Sequence, residues 1–262
     1  MSVLLVGCGR LGSAIVDGWL KTGAIDPRRL MILTPSEKPA AERARTAGAA
    51  INPPQHALGG VDRLVLAVKP AKWRAAAEPL IPHLTSRTAV VSVMAGVKAS
   101  ALAEVFGERP IARAMPTTGV AGGRGVASIW SADDAAREAA AALFASTATV
   151  VDLDREDLID VATAVSGSGQ AYVYAFAQAL ARAGEGAGLD AETATRLARA
   201  TVLSAGAALE SGSRDLAGLI DEVASPGGTT EAGLKALNGS GQLNTAVAAA
   251  VQAALDRAKQ LG

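Results

Sequence analysis

Residues 7–12 read Gly-Cys-Gly-Arg-Leu-Gly, and glycines at that spacing are suited to holding a diphosphate. Gly7 permits a tight turn, Gly9 lets the backbone approach a pyrophosphate, and Gly12 lets a helix pack closely on the preceding strand. The run Val3-Leu4-Leu5-Val6 ahead of the motif reads as a strand, and Leu11 to Lys21 behind it as a helix. The helix start, at Arg10 and Leu11, turns unpaired N–H groups and the positive end of a dipole toward phosphate. Three glycines alone would also suit a tight turn without a ligand. Strand, helix and position together make them a dinucleotide fingerprint.

The end of the second strand, Leu30 to Leu33, bears on which dinucleotide. Chains that bind NAD tend to carry an Asp or Glu roughly 20 residues beyond the glycines, on the ribose 2′-hydroxyl. Here the segment is Thr34-Pro35-Ser36-Glu37-Lys38. Thr34 and Ser36 offer hydroxyls to a 2′-phosphate, and Lys38 or Arg10 offers charge. NADP(H) is therefore the expected cofactor, with Glu37 keeping NAD(H) open as the alternative.

Three further strand ends carry unusual sequence: Ala67-Val68-Lys69-Pro70, Met94-Ala95-Gly96, and Arg113-Ala114-Met115-Pro116-Thr117-Thr118. Ligands of open parallel sheets sit at the carboxyl ends of the strands. Ala67, Val68, Lys69, Pro70, Ala95, Gly96, Met115 and Pro116 thus join the cofactor set, although Pro70 also serves as a simple strand stop. In the second half, Val165-Ser166-Gly167-Ser168-Gly169-Gln170-Ala171-Tyr172 and Asp221 to Thr230 are unlike ordinary helix. Gly227 and Gly228, just before a helix, present backbone N–H groups as a carboxylate nest, with Thr229 and Thr230 following. A helix N-cap with its entering turn would use the same residues. The two histidines, His56 and His83, read as surface residues, and no metal is expected.

The elements that must position these residues follow from periodicity. Apolar runs at Val3–Val6, Leu30–Leu33, Arg63–Val68, Ala89–Met94, Ile111–Ala114 and Val126–Trp130 alternate with helical stretches. Leu64–Val68 and Val90–Val93 are continuous rather than alternating, as in parallel strands covered on both faces. After Asp152 only helices are expected: 155–165, 170–183, 191–210, 216–223, 230–237 and 243–261. The fold class is α/β, with a Rossmann-type, mostly parallel sheet over residues 1–152 and an all-helical domain over 153–262.

Half of the residues are hydrophobic and 19% charged, which rules out disorder. Residues 1–150 carry 17 Lys and Arg against 11 Asp and Glu, a surplus that suits a phosphate-bearing ligand. With eight aromatic residues and no basic cluster, nucleic acid is not an expected partner. A lone cysteine, Cys8, and an N-terminus that passes straight into a strand suit a reducing, cytoplasmic setting. Val161 to Ala181 holds no charge but is interrupted by Ser166–Gln170, so it reads as a buried helix rather than a membrane span. The apolar, alanine-rich helices exceed what one small domain hides, and a homodimer or larger homo-oligomer through them is expected.

The glycine motif, Ala67-Val68-Lys69-Pro70, Ser166-Gly167-Ser168-Gly169 and Ser225-Pro226-Gly227-Gly228-Thr229-Thr230 together resemble pyrroline-5-carboxylate reductase, in that family's order and spacing. The resemblance implies hydride transfer from nicotinamide to the C=N carbon of 1-pyrroline-5-carboxylate, a cyclic imine carboxylate, giving L-proline. It places the Thr230 hydroxyl toward the ring nitrogen with Ser168 nearby, the carboxylate lying on Gly227, Gly228 and Thr229. Two departures stand out. The family usually reads Met-Pro-Asn-Thr-Pro where this chain has Met115-Pro116-Thr117-Thr118-Gly119, and proline where it has Gln170. The first leaves open the substrate and rate: a related cyclic imine, a keto acid, or cofactor binding without turnover. A β-hydroxyacid dehydrogenase would need a lysine after the glycine-rich segment, and Ser166–Ala181 contains none.

Overall fold

The computed structural model describes residues 1–212 and 214–261, which form two compact units. The first comprises Met1–Gly167 with Ala254–Gly262, the second Ser168–Ala253. Strands end at Asp152, but residues 153–167 and the last turns of the final helix pack with the strand-bearing unit rather than the helical one.

The first unit holds eight strands: β1 (Val3–Val6), β2 (Leu30–Leu33), β3 (Ala50–Ile51), β4 (Arg63–Leu66), β5 (Ala89–Ser92), β6 (Ile111–Pro116), β7 (Gly125–Trp130) and β8 (Ala148–Asp152). They make one sheet in the order β3-β2-β1-β4-β5-β6-β7-β8, parallel throughout except for β6 against β7. The chain turns to opposite sides of β1, with β2 on one flank and β4 on the other, so the switch point lies at the end of β1. Side chains alternate across the sheet. Val3 and Leu5 pack with α1 (Arg10–Thr22), α2 (Pro39–Thr46) and α5 (Asp134–Phe144), through residues such as Ile15, Trp19, Ala44 and Phe144. Leu4 and Val6 pack with α3 (Trp73–Ala77) and α4 (Ala99–Phe106), through Trp73, Leu102 and Phe106. Burial on both faces is why these strands are continuously apolar.

β3 and β8 are not among the expected strands, although Thr149-Val150-Val151 in β8 is a β-branched run. β3 is two residues long, and β8 is half-buried or exposed along its length. Both are edge strands held by backbone pairing. The single helix expected over 155–165 is also broken. A short α6 (Leu158–Ala162) passes into a π-helical turn at Thr163–Gly167. There the Thr163 hydroxyl donates to the Ile159 carbonyl at 2.7 Å and the Ser166 hydroxyl to the Ala162 carbonyl at 2.8 Å. Such bonds to the preceding turn compete with the backbone ladder and bend helices.

The second unit contains α7 (Gly169–Gly186), α8 (Ala191–Glu210), α9 (Leu216–Val223), α10 (Thr229–Asn238) and most of α11 (Gln242–Leu261). Asp190 caps α8 by accepting from Thr193 N–H, and Asp215 caps α9 by accepting from Gly218 N–H. The uncharged stretch 161–181, expected as a buried helix, is largely not buried within the chain. Only Ala181 of α7 is buried, while Val173, Tyr174 and Phe176 are exposed. The same holds for Leu197, Leu203 and Leu209 on α8 and Leu216, Ile220 and Val223 on α9. The hydrophobic content is as expected, but the single chain does not cover it. Among the described residues no helix is long and apolar enough to cross a membrane.

Candidate active site

Each glycine of the β1–α1 turn has a distinct task. Gly7 sits at φ +97°, donates its N–H to the Leu33 carbonyl at 2.8 Å, and would place a Cβ 2.6 Å from the Ala67 carbonyl oxygen. A Cβ on Gly12 would lie 2.2 Å from the Gly7 oxygen. Gly9 is different, with nothing within 4 Å of its added Cβ. It is the N-cap of α1 and offers no side-chain oxygen, so the N–H groups that open the helix are left for a ligand. Arg10 is exposed beside them and Leu11 half-buried. Two glycines make the turn, and the third keeps space open at the helix dipole.

At the end of β2, Thr34, Pro35, Ser36, Glu37, Lys38, Arg45 and Asn52 are among the residues lining a cavity of about 260 Å³. Thr34 is not placed to meet a phosphate as its hydroxyl suggested. It is buried and donates that proton to the Ser36 carbonyl at 3.0 Å. Its backbone is clasped by Asn52, whose side chain accepts from Thr34 N–H at 2.9 Å and donates to Thr34 O at 3.0 Å. Ser36 is exposed and Lys38 half-buried at this cavity. Sequence reading missed Arg45, which is ion-paired with Glu42, and Asn52, the only non-glycine at positive φ among the described residues. That conformation is one asparagine tolerates, but a single Asn in a loop gives no advance signal of it.

Around the ends of β4 and β5, Ala67, Val68 and Pro70 are half-buried, Lys69 is exposed, and Ala95 and Gly96 are half-buried, Gly96 at φ +76°. Met115 and Pro116, expected to border the cofactor, are buried in β6. Pro70 and Gly96 border a cleft of about 1070 Å³ that also involves Trp73, Lys98, Arg113, Glu156, Asp160 and Lys259. Arg113 is 2% exposed and reaches Glu156 at 3.1 Å and Asp160 at 3.4 Å. The same Glu156 oxygen accepts from Ala99 N–H at 2.6 Å, capping α4 directly after the Gly96 turn. Asp157, also on the cleft, is held below the usual carboxylate range by the Arg155 guanidinium hydrogen-bonded to it. Arg113 falls in one of the unusual strand ends, but nothing in the sequence points to Glu156, Asp157 or Asp160 as its neighbours.

In the second unit Ser168 is the N-cap of α7, and Thr229 and Thr230 are the first two residues of α10. The nest is narrower than expected. Gly228 N–H donates to the Ser225 carbonyl at 2.9 Å, closing the turn, and Gly227 N–H donates to Glu231 Oε2 at 2.6 Å. The N–H groups of Thr229 and Thr230, opening the helix, have no carbonyl partner within it.

Residues 156–261 match the family model for pyrroline-5-carboxylate reductase dimerisation, and residues 2–96 that for NADP oxidoreductase coenzyme F420-dependent. Pyrroline-5-carboxylate reductase of Thermus thermophilus is 35% identical, the match covering 100% of this chain and 99% of that one. The chain belongs to the pyrroline-5-carboxylate reductase family. Among solved structures, the Coxiella burnetii pyrroline-5-carboxylate reductase superposes with a TM-score of 0.90 at 30% identity, over 100% of this chain and 98% of that one. The Plasmodium falciparum pyrroline carboxylate reductase, solved with NADP bound, gives 0.84 at 27% identity, again over 100% and 98%.

For a member of this family, the threonine at 117 has a structural use. It is buried, its N–H donates to Val126 O at 2.8 Å, and its hydroxyl oxygen accepts from Val126 N–H at 3.1 Å. Thr117 thereby closes the antiparallel β6–β7 connection. Gln170 is the second residue of α7, and there the helix forms without proline.

Proposed function

We propose that this chain is an NADPH-dependent reductase of 1-pyrroline-5-carboxylate that yields L-proline. The observation that carries this reading is the end-to-end similarity to pyrroline-5-carboxylate reductases, joined to a β1–α1 turn built to receive a diphosphate. The geometry fits a dinucleotide, because Gly9 leaves open space at an uncapped helix start where Gly7 and Gly12 leave none. Gly7 to Gly12 would hold the pyrophosphate. Ser36 and Lys38, with Arg45 and Asn52, would hold the 2′-phosphate, and Val68, Lys69, Pro70, Ala95 and Gly96 would border the rest. When bound, NADPH supplies the hydride that reduces the C=N carbon.

The chain's own work is then orientation and charge placement. The helix start at Thr229 and Thr230 takes the substrate carboxylate. The Thr230 hydroxyl, with Ser168, holds the ring nitrogen. No dedicated acid is required, since an imine is basic enough to arrive protonated. His56 is exposed, and the His83 ring pairs with the Gln55 side chain at 3.2 Å, outside this arrangement. The division of labour is a cofactor unit, Met1–Gly167 with Ala254–Gly262, and a helical substrate and dimerisation unit, Ser168–Ala253, rather than a split at 152/153. The exposed apolar faces of α7, α8 and α9, within a region matching a dimerisation model, support a homodimer or larger homo-oligomer. Cys8 and the sequence composition support a cytoplasmic setting.

The test is NADPH oxidation followed by absorbance, with 1-pyrroline-5-carboxylate and then its six-membered analogue. Turnover is expected, faster on the five-membered ring. No turnover on either ring, with NADPH still bound, would overturn the assignment. In the same assay Thr230→Ala is expected to lower kcat/KM at least about tenfold, roughly 1.4 kcal/mol. A loss below about threefold would reduce Thr230 to a helix-entry residue.

A further inference from the structure

We propose that Glu231 is a built-in competitor for the substrate carboxylate, seated on the donor turn before α10 and displaced when an anionic ligand arrives. The inference rests on reading Gly227–Thr230 as the carboxylate site. A carboxylate is already there: Glu231 Oε2 accepts from Gly227 N–H at 2.6 Å. Glu231 is the third residue of α10, the position from which a glutamate reaches back over a helix start. The usual reciprocal partner is missing, because the N-cap is Gly228, which has no side-chain oxygen. Gly227 stands at φ +73°, and Gly228 N–H is committed to Ser225 O. Of the two glycine donors, one closes the turn and the other is filled by the protein's own carboxylate.

The consequence is competition of two kinds. A substrate carboxylate must displace Glu231 from Gly227 to use that donor. If it settles instead on Thr229 and Thr230 N–H, it lies within one helical turn of a like charge, which opposes binding. Glu231 thus stabilises the empty turn and weakens binding of small carboxylates there, substrate and product alike.

Two variants separate hydrogen bond from charge. Glu231→Gln keeps an oxygen that can accept from Gly227 but removes the charge, and Glu231→Ala removes both. KM for 1-pyrroline-5-carboxylate and the calorimetric Kd for L-proline are measured for each, the latter requiring no turnover. In Glu231→Ala both constants are expected to fall about fivefold, and in Glu231→Gln by a smaller factor, with kcat unchanged or lower. The α10 helix loses one cap contact, and circular dichroism of both variants controls for folding. If both constants stay equal or rise in Glu231→Gln and in Glu231→Ala while the wild-type chain turns over normally, the competitor role is overturned and the carboxylate site stands. A wild-type chain that neither turns over the imine nor binds proline overturns the underlying reading, and the proposal with it.

Discussion

Gly12→Ala is expected to destabilise the chain and abolish NADPH binding, whereas Gly9→Ala is expected to weaken NADPH binding and keep the fold. The two glycines are three residues apart in one motif, yet their surroundings are opposite. A methyl on Gly12 would lie 2.2 Å from the Gly7 carbonyl oxygen and 3.5 Å from the Ala67 side chain. The nearer obstacle is backbone, which no rotamer change relieves, and Gly7 is itself fixed by its bond to Leu33 and by its approach to Ala67. Either α1 must lift from the sheet or the Gly7 turn must open. Lifting α1 disturbs Ile15, Val16 and Trp19, all buried, and the 2.7 Å bond from the Trp19 indole N–H to Leu143 O. Overpacking of this kind costs about 1–3 kcal/mol or more. A cost of about 3 kcal/mol corresponds to a fall of about 6–12 °C in Tm for a chain of this size.

At Gly9 a methyl meets no protein atom. It occupies instead the space through which the backbone meets phosphate. Loss of one charge-assisted hydrogen bond, about 1.5–3 kcal/mol, weakens NADPH binding about ten- to a hundredfold, while the melting temperature stays near wild type. Thermal melts beside fluorescence titrations with NADPH check both variants. A Gly12→Ala protein that melts within 2 °C of wild type, or a Gly9→Ala protein with unchanged NADPH affinity, would contradict the assigned roles (the margin being about 1 kcal/mol or less).

The second large effect is expected at Arg113. Its side chain is almost wholly buried and is the common partner of Glu156, 25% exposed, and Asp160, 15% exposed. Arg113→Met leaves two neighbouring carboxylates without their cation. Breaking a buried pair from one side costs about 3–5 kcal/mol, so Tm is expected to fall about 6–20 °C. The pair by itself is weak ground for stability, because well-packed neutral groups often replace such clusters at little cost. The triple variant Arg113→Met, Glu156→Gln, Asp160→Asn is therefore expected to recover most of the loss. Arg113 Nε strengthens that expectation, being buried without a hydrogen-bond partner among the described residues, so the cluster already carries an unmet cost. Scanning calorimetry of the single and triple variants decides. A single variant as stable as wild type, or a triple variant no better than the single, would refute the account.

The cofactor turn was legible in the sequence because its constraints are local. A tight turn at Gly7, the close approach at Gly12 and open space at Gly9 are set within six residues, and the strand and helix beside them announce themselves by continuous and periodic hydrophobicity. β1, β4 and β5 were legible for a related reason: strands buried on both faces have almost no polar residue. The helical half was equally plain in type, and Ala191–Glu210 and Leu216–Val223 fell where composition and periodicity put them.

What only the tertiary structure decided involves partners distant in sequence, or a choice among equivalent local bonds. Arg113 meets Glu156 and Asp160 across 43 and 47 residues, a juxtaposition made only when α6 and the turn before it pack on β6. Thr34 donates to a carbonyl two residues on rather than keeping its proton for a ligand, and Gly228 gives its N–H to Ser225. No spacing rule distinguishes these outcomes, because donor and acceptor types are the same either way. The alanine-rich helices show the same limit in packing. Sequence periodicity marks which faces are apolar, but the protein interior that covers a face belongs to whatever folds against it, and within one chain the faces of α7, α8 and α9 stay uncovered. Backbone conformation and apolar periodicity are written residue by residue; pairing, burial and the direction of a hydroxyl proton are settled only when distant segments meet.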